Sequence, residues 1–288
     1  LGWWKPVATT RLFPGGFNIS DSDSVGAGGI VVVNDVRSNV TATVTDSTLG
    51  TTAAPLASLT VDATEQATIR ALNDATITSS GGNSFNGEGT SLAVGGVIAT
   101  NRVLGSALAS VLRGSVATIG SVIAQADNIA QVDATTLVAV TSGAQSIGVV
   151  LAFNTIGWAP TNLFFSAIDA LLGDPLLESP SPVTTIASIT ATALSIGGDL
   201  TVSAATDARI NSLVSNEATS APAALFGAGG MAMTFILSGN KVAATTNATL
   251  RGVEGATVPA VLPVVTVGGV VAVLADNAAA ITAETTMY

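Results

Sequence analysis

The chain has no cysteine and no histidine among its 288 residues, and aromatic side chains make up only 4% of it. Without cysteine there is no disulfide and no thiolate chemistry. Without histidine the usual general base, the usual metal ligand and the physiological pH switch are gone. Serine–histidine catalysis, cysteine–histidine catalysis and histidine-ligated zinc are therefore excluded. Scarce aromatics leave the core to Ala, Val, Ile and Leu. Charge is scarce as well, at 10% of residues, against about 25% in ordinary soluble domains. Thr, Ser, Asn and backbone must cover much of the surface, as on many extracellular β-proteins. Nine basic residues against 19 acidic ones give a net charge of −10 and a pI near 4.1. That balance opposes nucleic-acid binding, which needs a basic stripe to displace counterions, and docking on anionic lipid.

What is present is repetition, which decides fold class before any local reading. Four segments share a pattern of apolar, x, apolar, x, Ala, three residues, Ala, x, apolar. They begin Leu59-Val61-Ala63, Val122-Ala124-Ala126, Leu200-Val202-Ala204 and Val271-Val273-Ala275, at spacings of 63, 78 and 71 residues. Period-two alternation makes each half a strand with one face inward. The three-residue gaps (Thr64 to Gln66, Asp127 to Ile129, Ala205 to Asp207, Asp276 to Ala278) read as turns or bends. A second motif opens with glycines, continues as an apolar run and ends on Asn34, Asn101 and Asn154; its fourth copy, FGAGGMAMTF, has Phe235 in that place. Another alternating strand follows two of the copies, at Val40-Ala42-Val44 and Ala107-Ala109-Val111. The near-continuous apolar runs imply strands covered on both faces, or on one face by a neighbour.

A period near 70 residues is long for one solenoid coil and fits about three coils of 5–6-residue strands, or a small tandem sandwich domain. The solenoid is favoured, because no repeat has the aromatics for its own core and each must stack on its neighbours. The expected fold is all-β, a parallel β-helix (β-solenoid) forming a single array over 1–288. The longest spacing is explained by an insertion over 158–183. Within it Leu163, Phe164, Ala167, Ile168, Leu171 and Leu172 form one helical stripe, so a short amphipathic helix is expected near 161–173. Leu1-Gly2-Trp3 resembles Ile156-Gly157-Trp158, so the sequence reads as an excerpt of a longer chain, beginning midway through a repeat.

The runs VGAGGIVVVN, SIGVVLAFNTIGW followed by LFFSAIDALLGDP, and GGDLTVSAATDARINSLVSNEATS resemble the internal repeats of giant bacterial surface proteins. These are the filamentous-haemagglutinin-like and leukotoxin-type filamentous adhesins. The resemblance covers about Val25 to Met287. It implies a right-handed parallel β-helix on the cell surface or in a secreted fibre, with no catalytic residues to carry over. Phe235 in place of Asn puts a continuous asparagine ladder in doubt.

Other chemistries find little footing. Asp62, Asp127, Asp133, Asp199, Asp207 and Asp276 are scattered, and Asp199 with Arg209 does not recur in the other repeats. Asp21, Asp23 and Glu88 lie outside any calcium-binding nonapeptide or EF-hand pattern. The two GAGG runs precede strand-forming residues rather than a helix, against a phosphate loop. The Thr pairs do not recur at one repeat position, against an ice-binding face. The apolar stretches 221–239 and 258–275 reach membrane-spanning length, but Pro222, Pro259, Pro263 and glycine pairs oppose a spanning helix. The expectation is a non-catalytic structural module of a secreted or cell-surface fibre or adhesin, with no cofactor and no metal. Its partners would be neighbouring repeats, other copies in a filament, and possible glycan or host-cell surfaces. The alternative is a glycan- or cell-binding module with Trp3, Trp4 and Trp158 as binding residues; a polysaccharide-cleaving enzyme is the third reading.

Overall fold

A computed structural model describes the backbone of residues 7–12 and the full structure of 23–80, 90–158, 180–220, 229–252 and 263–288. After β1 (Val7–Leu12), the chain runs through β2 (Ser24–Thr45), β3 (Thr48–Leu49) and β4 (Leu59–Ser79). It repeats the course as β5 (Ser91–Leu112), β6 (Ser115–Thr118) and β7 (Val122–Ser142). The third pass is β8 (Gln145–Ile156), β9 (Val183–Thr190), β10 (Ala193–Ile196) and β11 (Leu200–Ser220). The fourth is β12 (Met231–Val242), β13 (Ala244–Arg251), β14 (Val265–Val267) and β15 (Val271–Met287).

Each pass gives one strand, or one split strand, to each of three sheets. Sheet A is β1-β4-β7-β11-β15, and the short sheet C is β3-β6-β10-β14. In sheet B, β2 lies on one side of β5; on the other side β8 and β9 together match its length, followed by β12 and β13. Every pairing between these strands is parallel, and equivalent residues of successive repeats face one another: Leu59, Val122, Leu200 and Val271 form one column. The protein is thus all-β with parallel sheets, and among the described residues it has no helix. The expected helix at 161–173 lies outside the described residues, as do Trp3 and Trp4.

Three expectations are corrected. The 70-residue repeat is not three turns of short strands, and not a sandwich closed on itself; it makes one pass, with strands of 21 or 22 residues in β2, β4, β5, β7 and β11. The three-residue gaps are not turns, because the alternation continues through them. Glu65, Asn128 and Thr206 point inward in step with the flanking alanines. The Asn that closes the glycine motif does not end a strand either. Asn34 and Asn101 sit in the middle of β2 and β5, which run on through Val40-Ala42-Val44 and Ala107-Ala109-Val111. Glu65 accepts from Ser38 of the facing sheet, while Asn128 stays in its strand with neither amide atom hydrogen-bonded.

The inward faces of sheets A and B enclose the core. Val61 and Ala63 pack against Ala107, Ala109 and Val111, closed at one edge by Val116, Leu194 and Ile196 of sheet C. Ile69, Val132 and Ile210 meet Val103, Ile156 and Val183. Ile77, Val138 and Val140 meet Val97, Ala99 and Val150. The B-to-C corner is a single left-handed residue in each of three repeats, Asp46, Arg113 and Ala191, with φ near +50°. The C-to-A corner carries stacked glycines: Gly198 N–H donates to the Gly120 carbonyl at 3.1 Å, and Gly269 N–H to the Gly198 carbonyl at 2.9 Å.

Candidate functional site

The candidate repeat residues of the four motif copies share columns across sheet A. Val61, Ala124, Val202 and Val273 form one inward column, and Ala63, Ala126, Ala204 and Ala275 the next but one along the strand. Most are fully buried, while Val271 and Val273 at the β15 edge are half exposed.

Between the apolar blocks lie polar layers. Asn34 Nδ2 donates to Asn101 Oδ1 at 2.7 Å, Asn101 Nδ2 to Asn154 Oδ1 at 2.8 Å, and Asn154 Nδ2 to Asn240 Oδ1 at 2.9 Å. The doubt raised by Phe235 is therefore corrected: the ladder is continuous over four strands. Phe235 pairs with Val149, and the fourth rung is Asn240, paired with Asn154. Aligning on the glycines hid this, because the fourth glycine run stops before β12 begins at Met231; the Leu-Ser-Gly-Asn ending at 240 was the available clue. Asn154 Nδ2 also reaches Ser212 Oγ across the core at 3.1 Å. A second layer links the Thr206 hydroxyl to those of Thr185 and Thr246, each at 2.7 Å. In the same layer Ser38 donates to Glu65 Oε2 at 2.8 Å. Glu65 Oε1 and both amide atoms of Asn128 are buried without a partner. A third layer at the far edge joins Ser24, Ser79, Ser91 and Ser142.

On the outer surface, Arg102 reaches Asp35 at 2.7 Å from the neighbouring strand, and Arg37 reaches it at 2.9 Å from two residues along. The Arg102 hydrogen bond, helped by Arg37 and opposed by partial burial, holds the Asp35 carboxyl down at about 2. At the corner, Arg113 donates to Asp46 at 2.8 and 2.9 Å and lowers its carboxyl too. A carboxyl lowered on folding stabilises above its unfolded value near 4, and that stability is lost as pH falls through its folded value. Wild type should exceed Asp35→Asn by about 1 kcal/mol at pH 7, after allowance for solvent screening. The gap in urea midpoints should narrow from pH 4 to pH 2 and vanish below it; a gap constant with pH would contradict the ion-pair account.

Among the described residues no three carboxylates gather as a metal would need. The outer face of sheet A holds a groove of about 620 Å³, lined by Arg70, Asp133, Asn211, Leu72, Leu213 and Glu284. Asn211 Nδ2 donates to Asp133 Oδ1 at 2.7 Å across the strands, and Arg70 Nε lies 3.7 Å from the same carboxylate. Asp199 accepts from the Val270 N–H at 2.8 Å, and Arg209 pairs with Asp207 at 2.6 Å, so these two serve local structure. Trp158 bridges to Pro180 where the insertion leaves and rejoins sheet B, with Lys241 Nζ 4.9 Å from its ring centre.

The outer face of sheet B splits in two. One half carries Asp35, Arg37, Asn39 and their neighbours. The other, over Val25 to Val33 and the matching stretches of β5, β8 and β12, carries no charge. Val31 and Val33 are 69% and 64% exposed there, and Phe235 is 51% exposed. Of the two readings of the apolar runs, one buried face is the outcome at Val31 and Val33, whereas Phe153, in the same outward register on β8, is 4% exposed. No helix among the described residues is long and apolar enough to cross a membrane.

Comparison of the chain with protein-family models, curated proteins and solved structures finds no match.

Proposed function

We propose that this chain is a structural module of a secreted or cell-surface fibre, a β-solenoid whose coil is one whole repeat of about 70 residues. The observation that carries the reading is the register. Columns such as Leu59, Val122, Leu200 and Val271 run straight across the repeats, so each repeat is completed only by the next. Four repeats at about 4.8 Å make a slab roughly 19 Å deep along the stack and about 70 Å wide along the strands. Its work is mechanical: unbroken backbone ladders resist extension, and the polar layers fix the register in which a further repeat can add. Stacking of copies end to end extends the same ladders into a filament.

Cryo-electron microscopy of the longest natural polypeptide containing this sequence tests it. The expected result is rods with an axial repeat of about 4.8 Å. Compact separate particles, or strands running along the rod axis, would overturn the reading.

The sheet A groove supports a second reading, a glycan-binding module on the same scaffold. Its row of Arg70, Asp133 and Asn211 offers donors and acceptors at strand spacing. Asp133→Ala and, separately, Asn211→Ala should then weaken retention on a glycan array; equal retention of both variants and wild type would count against it.

A further inference from the structure

The uncharged half of the outer face of sheet B has an unevenness that no contact among the described residues explains. One column across the sheet reads Gly29, Gly96, Val149, Phe235. Half of it is bare and half is bulky. A Cβ placed on Gly29 would meet only the Gly96 carbonyl oxygen at 3.5 Å, and one on Gly96 only the Val149 carbonyl oxygen at 3.7 Å. Both are ordinary contacts, and neither glycine has a positive φ. Inward glycines of the same strands differ: a Cβ on Gly95 would come within 2.7 Å of Ile77 and Val140. Glycine weakens a strand, and where packing does not demand it, it marks a place another backbone or ligand approaches closely. Here that approach comes from outside.

We propose that the occupant is a second copy of this chain, packed face to face across a two-fold axis running along the strands. Such an axis sets β2 against the partner's β12 and β5 against the partner's β8. The bare half of the column then faces the bulky half: Phe235 of each copy enters over Gly29 of the other, and Val149 over Gly96. The rows on either side, through Val94 and through Ile98, close around the contact at the usual face-to-face spacing of about 10 Å. Four strands by nine residues give about 500 Å² per copy. The pair buries about 1,000 Å², the lower bound of a specific interface, so pairing at roughly micromolar concentration is expected. The absence of charge across the patch lets two identical faces meet without repulsion. This pairing is lateral and stands on the outer face alone, so it survives even if the axial stacking proposed above fails.

Analytical ultracentrifugation tests it. Wild type should sediment at twice its 28.3 kDa at tens of micromolar. Ile98→Asp and Gly96→Val should each give the single mass, with circular dichroism and thermal midpoint unchanged or, for Gly96→Val, raised. The exchange variant Gly96→Val with Val149→Gly moves the bulk to the other strand and should restore the pair. Three results would overturn the proposal. One is a wild type monomeric throughout. Another is association that persists in both single variants, which would place the contact at the open strand edges. The third is a monomer that binds phosphatidylcholine vesicles through Ile98, which would make the face a lipid surface.

Discussion

Asn101→Leu is expected to lower the free energy of unfolding by about 3 kcal/mol, while Asn128→Leu leaves it unchanged or raises it by about 1 kcal/mol. Both asparagines are 1% exposed, on inward columns of the two long sheets. Leucine matches asparagine in branching and heavy-atom count and is the larger of the two, so neither change opens a cavity. They differ in partners. Asn101 accepts from Asn34 and donates to Asn154, and its loss strands an amide donor on one side and a carbonyl oxygen on the other. A buried polar atom left without a partner costs about 1–3 kcal/mol, and water relieves only the half-exposed Asn34. Asn128 has no partner for either amide atom, so its desolvation is already uncompensated and leucine removes it. Urea unfolding with unchanged slope should separate the two. Equal losses in both would mean that the asparagine ladder has no special energetic role.

Gly198→Val is expected to cost about 3 kcal/mol, seen as a thermal midpoint lower by roughly 5–10 °C. At the corner between β10 and β11, a Cβ on Gly198 would lie 2.8 Å from the Gly120 carbonyl carbon and 2.9 Å from the Ser121 nitrogen. Those are backbone atoms of the preceding repeat, and sheets on both sides of the corner hold the spacing at about 4.8 Å. No rotamer relieves the contact; the repeats must part or the corner must unwind. Gly229→Ala is the control, since nothing lies within 4 Å of its Cβ position, and it should shift stability by less than about 0.5 kcal/mol. A Gly198→Val protein as stable as wild type would show that the corner yields.

The repeat motif was legible because its cause is local. Alternating Val, Ala and Ile impose period two on any extended chain with one buried face, and the four motif copies fall in the register in which sheet A pairs them. The length of the strands was not legible. Polar triplets such as Thr64-Glu65-Gln66 look like turns, since a lone strand has no use for an inward Glu. Ser38 on the opposite sheet takes up that carboxylate, and the strand continues. Asn240 was missed for a related reason. It is identified by its rung in the ladder, and the spacing from the glycines, which served as the guide in sequence, varies between repeats.

The sequence by itself determined the composition of the core, the absence of histidine and cysteine chemistry, the strand character and the presence of a repeat. These follow from side-chain chemistry and from periodicity along one chain. Only the tertiary structure decided that one repeat makes one pass, that three apolar blocks alternate with polar layers, and that a bare and a bulky half share one outer column. Those properties belong to residues about 70 positions apart in the chain and about 4.8 Å apart in space. No pattern within a single repeat can hold them, because the asparagine ladder and the register join one repeat to the next, and the remaining polar partners sit on the facing sheet.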